Sequence, residues 1–227
     1  MGYGEEIVRG VYIVGGPGIS HVDDAACYVV ESAGTLAMID TGAGGRTALI
    51  VRNMEGLGLD PGKLTWIVLT HCHIDHIGGA PYLREKYGAR IAMHELDAPP
   101  VEQADVAKTA ASWYGRRLSP LKVDVKFSGP EETIKVGEDV LHILHTPGHT
   151  PGSIACYLDR DGRRVVFGQD IHGPFLSAFG SDLEAWRASM NRLLKLNMDI
   201  LCEGHFGIFQ PRERAEGYIR KYLAQNA

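Results

Sequence analysis

The stretch THCHIDHIGG, residues 70–79, decides how this sequence is read. Three histidines and an aspartate fall within positions 71–76, directly after the β-branched run LTWIVLT and directly before a flexible Gly-Gly. His71 and His73 are two apart, so on an extended strand end they point to the same side. Asp75 and His76 are neighbours and diverge unless the backbone turns between them. A strand-to-helix loop can therefore aim His71 and His73 at one point and Asp75 and His76 at another a few Å away, a layout that suits two metal ions. The pattern differs from HExxH, in which two histidines share one helix face.

One loop cannot complete two coordination shells. Structural zinc sites use four protein ligands, and catalytic sites keep a position free for water. Three further candidates each stand beyond an apolar strand and a glycine: His149 in HTPGHTPGS, Asp170 closing RRVVFGQD, and His205 closing MDILCEGH. Single histidines elsewhere, such as His21, His94 and His142, read as ordinary hydrogen-bonded residues.

Working outward, short Val-, Ile- and Tyr-rich runs with Gly, Ser and Asp punctuation predict strands at IVRGVYIVGG, AACYVVES and TLAMID. Residues 44–59 carry apolar positions at helical spacing and end near Gly58, and 80–88 predicts a helix closed by Gly88. Strands follow at 89–95 and from 122 to 168, then an amphipathic helix in DLEAWRASMNRLLKL, a strand at 198–204, and a last helix beginning at Pro211. Two strand-rich runs, each trailed by helices, imply two sheets with helices outside, in one domain over 1–227. The segment 97–120 breaks the alternation and reads as a helical insertion that serves as lid or pocket wall.

The bulk properties fit an ordinary globular enzyme. The 227 residues are 44% hydrophobic and 22% charged, with a formal net charge of −5. That charge speaks against nucleic acid as a partner. No apolar run reaches the ~18 residues of a membrane span, and the acidic N-terminus does not resemble an export signal. Cys27, Cys72, Cys156 and Cys202 form no CxxC pair and read as buried free thiols, so the expected location is the cytoplasm.

The assembled elements resemble the metallo-β-lactamase superfamily. THCHIDHIGG fits its HxHxDH signature, and MIDTG, HTPGHTPGS, the strand ending at Asp170 and a late Gly-His follow in the family's order. The resemblance covers roughly residues 7–207 and implies an α+β fold, a four-layer αββα sandwich with a dinuclear site at one edge of the two sheets. By position it gives one metal to His71, His73 and His149, and the other to Asp75, His76 and His205, with Asp170 bridging. It casts Asp40 of MIDTG as the acid that orients a ligand histidine, and His145 as a structural or supporting residue.

The resemblance further implies two zinc ions, with one or two irons as the alternative. The implied activity is a hydrolase of a small-molecule ester, thioester, lactone or phosphoester that attacks through a metal-bridging hydroxide, with Asp75 as the catalytic group. Glyoxalase II is the most similar branch in motif, but only a short tail follows His205, so its glutathione-gripping helical domain is not expected. Best-known zinc β-lactamases carry Cys where Asp170 stands. The mononuclear iron persulfide dioxygenases of the superfamily, using His71, His149 and Asp170, are a second reading, and a non-catalytic metal sensor is a third.

Two departures stand out. Gln169 sits between Gly168 and Asp170, where the family reads Gly-Asp directly, which predicts a displaced Asp170. His172 follows two residues later, on the same side if the chain stays extended, and so faces the substrate or supports a ligand. Glu203 occupies a position where the family commonly has Pro. In HGPFLSAFGSD, residues 172–182, the apolar side chains suit an acyl or aryl pocket, or else a homodimer interface.

Overall fold

Alternation along the strands explains the architecture. In β4 (Thr35–Ile39), Leu36 and Met38 pack to one side while Ala37 and Ile39 pack to the other. Both faces are apolar, so both must be covered. A computed structural model describes residues 4–226.

The first sheet has seven strands in sequential order: β1 (Glu5–Val8), β2 (Val11–Gly15), β3 (Cys27–Ser32), β4, β5 (Leu64–Val68), β6 (Arg90–His94) and β7 (Val125–Phe127). The first four pair antiparallel, and β4 through β7 run parallel. Between the strands lie α1 (Thr47–Gly56), α2 (Ile74–Ile77), α3 (Ala80–Tyr87) and α4 (Ala98–Glu102).

The second sheet runs β13-β12-β11-β10-β9-β8. It comprises β8 (Glu131–Val136), β9 (Asp139–His145), β10 (Ile154–Arg160), β11 (Arg163–Gln169), β12 (Ile200–Glu203) and β13 (Ile208–Phe209), with α5 (Leu183–Leu194) and α6 (Arg212–Gln225) alongside. Only β11 and β12 are parallel here. Val11, Ile39, Phe167 and Cys202 belong to the core between the sheets. Met38, Ile50 and Leu83 bury the outer face of the first sheet, and Val166, Trp186 and Ile219 that of the second. The result is the four-layer αββα sandwich.

Parallel pairing places the chemistry. Because β4 and β5 are parallel, their C-terminal ends, carrying Asp40 and Thr70–His76, open at the same edge. Because β11 and β12 are parallel, Asp170 and His205 emerge together. The α5 helix, capped by Asp182 accepting from the Glu184 and Ala185 amides, underpins that edge. Its Trp186 indole donates to the Ile171 carbonyl at 3.1 Å, and Ser189 donates to the Pro147 carbonyl at 2.7 Å.

Two expectations are corrected. The insertion over 97–120 is helical only in the five residues of α4. Beyond it Ala104, Ala110 and Gly115 adopt left-handed φ values of 55°, 55° and 58°, which break a helix. Asp105 accepts from the Ala107 and Lys108 amides, holding a turn instead. The Gly78-Gly79 pair, read as flexible, instead has helical backbone at both residues, with φ of −62° and −83°. They are glycine because a Cβ on Gly78 would sit 2.3 Å from the Ala43 carbonyl carbon, and one on Gly79 2.3 Å from the Thr41 oxygen. These contacts bring the loop after β4 against the metal-motif loop, where the Thr41 amide donates to the His76 carbonyl at 2.7 Å.

Backbone atoms cannot yield as a side chain can. Gly78→Ala is therefore expected to destabilise the chain by about 1–3 kcal/mol. A thermal melt should show this as a fall in Tm of roughly 2–12 °C.

Candidate metal centre

Seven side chains called from the sequence converge at the shared edge. One donor atom each from His71, His73, His149 and Asp170 lie within 4.8 Å of one another, as do those of Asp75, His76 and His205. In the first nest His73 Nδ1 stands 3.1 Å from His71 Nε2 and 2.9 Å from His149 Nε2. Asp170 turns Oδ2 toward His149 Nε2 at 3.5 Å and His71 Nε2 at 3.9 Å. Its Oδ1 faces the other nest, 3.1 Å from His76 Nε2 and 3.3 Å from His205 Nε2. Asp75 Oδ2 lies 3.4 Å from His205 Nε2. Thus one carboxylate spans both nests.

The inserted Gln169 does not displace Asp170 from this position. The chain absorbs it as an irregularity in the β11–β12 register between Phe167 and Gln169, with Gln169 at a left-handed φ of 50°. Its side-chain Oε1 accepts from the Asp170 amide at 2.9 Å and steadies the turn.

Buried hydrogen bonds orient three of the rings. His76 Nδ1 donates to Asp40 Oδ2 at 2.7 Å. Asp40 also accepts from the Thr70 amide and hydroxyl, and the Thr70 oxygen meets His71 Nδ1 at 3.2 Å. His149 Nδ1 donates to the Pro174 carbonyl at 3.0 Å. In each case Nε2 is the nitrogen left facing the centre. Asp40 thus supports two of the histidines, at a left-handed φ of 57°.

Electrostatics separates the nests. Burial holds His71 and His73 well below the usual imidazole range and pushes His149 down to about 4. These three rings are neutral at pH 7, the form that binds a metal. Burial would lower His76 and His205 too, but the Asp170 charge, with Asp40 and Asp75 beside His76, outweighs it and raises both. Burial also raises Asp75, against the pull of His76.

The donor set fits a metal site. Nitrogens bonded tetrahedrally at 2.0–2.1 Å stand ~3.3 Å apart, and the first-nest nitrogens approach at 2.9 and 3.1 Å. His76 Nε2 and Asp170 Oδ1 are fully buried and close together, yet neither has an aligned hydrogen-bond partner. Orphaned donor atoms aimed at one point are what a cation would satisfy.

The remaining sequence candidates divide. Asp40 touches a cluster histidine. His172 stands at the cavity wall, its Nδ1 3.1 Å from Glu203 Oε1. His145 is outside the cluster: its ring stacks on His94 at 3.8 Å and its Nε2 meets the Pro151 carbonyl at 2.9 Å, bracing the loop that carries His149. Cys72 is buried behind the motif near the Lys108 carbonyl, and all four cysteines are free and buried.

The sequence reading missed Asp97. Its buried carboxylate accepts from the Cys72 amide at 3.0 Å, the Gly152 amide at 2.7 Å and the Thr150 hydroxyl at 2.7 Å. It ties the His71–His73 segment to the His149 loop, a long-range role that no local motif announces. Tyr114 was grouped only with the insertion; here burial and the neighbouring Asp75 charge raise its phenol, at the cavity wall.

The profile of the Metallo-beta-lactamase superfamily matches residues 21–205, and the chain belongs to that superfamily. It is 30% identical over 131 residues to a hydroxyacylglutathione hydrolase of Acidiphilium cryptum, covering 58% of this chain and 43% of that one. This chain therefore spans less than half of that relative's length. It is also 30% identical over 178 residues to hydroxyacylglutathione hydrolase GloC of Haemophilus influenzae, covering 74% and 79%. A mutant metallo-beta-lactamase from Cronobacter sakazakii superposes with a TM-score of 0.82 over 99% of this chain and 95% of that one, at 21% identity. That likeness concerns the fold.

Asp97→Ala would leave three buried donors without their acceptor. At about 1–3 kcal/mol for each unsatisfied group, a loss of at least ~3 kcal/mol is expected in a urea melt. Asp97→Asn, which keeps one carbonyl acceptor, should lose less.

Proposed function

We propose that this chain is a dinuclear metallohydrolase of a small uncharged ester, lactone or thioester, with zinc as its metal. The observation that carries the reading is the pair of buried donor nests sharing Asp170. His71, His73 and His149 would hold one divalent cation and Asp75, His76 and His205 a second, and these would supply Lewis acidity and lower the pKa of a water from 15.7 toward 7.

The chain's own groups do the rest. Asp75 lines the cavity and sits beside His205, so its carboxylate can orient an attacking water, take its proton and pass it to the leaving group. Asp40, Thr70 and the Pro174 carbonyl hold three imidazoles in one orientation, so none has to reorganise during reaction.

The cavity has a volume of about 230 Å³, and Ala110, Trp113, Tyr114, Pro174 and Phe179 form its walls. Among the described residues, no lysine or arginine lines it. Nearby, Lys108 is tied to the Ala178 carbonyl and Arg116 faces Asp23. Phosphate recognition normally recruits such cations, so this lining favours an acyl or aryl substrate over a phosphoester. It also supports the role of the 97–120 insertion as pocket wall.

The persulfide dioxygenase reading needs only His71, His149 and Asp170. It gives no function to the clustered Asp75, His76 and His205, which is why the hydrolase stands first.

Elemental analysis of purified protein is expected to find two zinc ions per chain, and chelation should abolish hydrolysis of aryl esters or lactones. One iron per chain, with oxygen consumed on a persulfide, would overturn the proposal. Asp75→Asn should lower kcat by about 10²–10⁴-fold while leaving the thermal melt within a few °C. An equal collapse of folding and activity would instead mark Asp75 as structural.

A further inference from the structure

Glu203 is an unexpected residue for its position: a carboxylate with 0% exposure at the end of β12. Its Oε2 accepts from the His205 and Phe206 amides at 2.7 and 2.8 Å. Its Oε1 is left for His172 Nδ1 at 3.1 Å. A buried carboxylate persists only when its oxygens are taken up in this way, so Glu203 is committed to the two histidines at the cavity.

We propose that His172, oriented by Glu203, is a further metal donor alongside Asp75, His76 and His205, an inference that rests on the dinuclear reading above. One donor atom each of Asp170, His172 and His205 lie within 4.8 Å of one another, a third grouping that shares two members with the nests already described. The His172 and His205 rings meet edge to face with centroids 5.2 Å apart.

The tautomer follows from Glu203. With the Nδ1 proton given to the carboxylate, Nε2 carries the lone pair, the form in which imidazole binds a cation. The same device operates on the opposite side of the centre, where Asp40 accepts from His76 Nδ1 at 2.7 Å. Two buried carboxylates thus flank the centre, and each holds one imidazole.

Local backbone explains how His172 reaches the site. The loop from 169 to 174 turns tightly, with the Ile171 amide donating to the Gln169 carbonyl at 2.9 Å and the Gly173 amide to the Asp170 carbonyl at 3.4 Å. Six residues therefore supply the shared carboxylate, His172, and the Pro174 carbonyl that orients His149. The bulge at Gln169 belongs to this arrangement: it starts the turn that carries His172 back over Asp170.

The ion of the second nest then has an additional nitrogen donor on its cavity side. Imidazole and carboxylate donors of this kind suit zinc and the neighbouring first-row divalent cations.

The test is metal titration of the full chain after chelator treatment, with Zn²⁺ followed by calorimetry and Co²⁺ by visible absorption. The wild-type chain is expected to bind two ions. His172→Ala should weaken one of them by about 10–100-fold and alter the visible spectrum of the cobalt form, leaving the other ion unchanged. Glu203→Gln, close in volume, should weaken the same ion and shift the same bands by a smaller amount. If His172→Ala and Glu203→Gln, both folded by circular dichroism, bind every ion with wild-type affinity and spectrum, the inference is overturned. A wild-type chain that takes up a single ion overturns the dinuclear reading instead. In that case a changed affinity and spectrum of that ion in His172→Ala still support the inference, and unchanged ones overturn it.

Discussion

Everything at the active edge answers to the Asp170 carboxylate, which is 4% exposed and faces four imidazole nitrogens at 3.1–3.9 Å. Burial alone would raise its pKa, yet the charges on His205 and His76 outweigh this and hold it well below the usual carboxylate range. Such a cluster is costly without cations, because several polar groups leave water and compete for the same space. Rigid support is the physical requirement that follows. Asp40, Asp97 and Glu203, all buried, supply it by accepting from backbone amides, hydroxyls and ring nitrogens. They fix the rings from behind, so the atoms in front are free to meet a metal.

That support has to come from far along the chain, and the topology provides it. Asp40 and His76 follow neighbouring parallel strands of one sheet, and Asp170 and Glu203 lie at the ends of neighbouring parallel strands of the other. The two sheets then meet across the site at the Ala26 amide, which donates to the Gly204 carbonyl at 2.7 Å, while the adjacent Ala25 amide donates to the Asp75 carbonyl at 3.1 Å between two loops of the first sheet. A parallel pair opens both of its loops at one edge. Two such pairs facing each other concentrate four loops around one cavity.

This division explains what the sequence could reveal. The strands were legible because both faces are buried, giving Val- and Ile-rich runs such as LTWIVLT and RRVVFGQD. His71 to His76 were legible because their spacing is local, and His149, Asp170 and His205 because each follows an apolar strand and a glycine. Asp97 was not, since its partners Cys72 and Gly152 lie 25 and 55 residues away. The Gly78-Gly79 pair was misjudged for a related reason: its cause is the approach of residues 41–43 from another strand, which no local pattern encodes. The helical propensity of 103–120 lost to left-handed residues and to the Asp105 turn. Glu203 was visible as an oddity, but only its contact with His172 gives it a meaning.

The two nests are not equivalent toward solvent. His71 and His149 are fully buried behind Asp170, whereas the His205 side chain keeps 21% of its surface and His172 keeps 20%. Asp75, His172 and His205 line the cavity beside Tyr114, while His71 and His149 do not. His73 and Asp170 line it too, with the Phe179 ring 4.3 Å from that of His73, so the cavity reaches both nests but exposes more of the Asp75 side. The more enclosed nest is the one whose histidines burial keeps neutral, so it can hold a cation without displacing protons. The open nest pairs its histidines with carboxylates instead, an arrangement that keeps charge and hydrogen-bonding capacity at the cavity. An extra donor at this open position would tighten an ion that solvent and substrate can both reach, and Glu203 and His172 lie on that side.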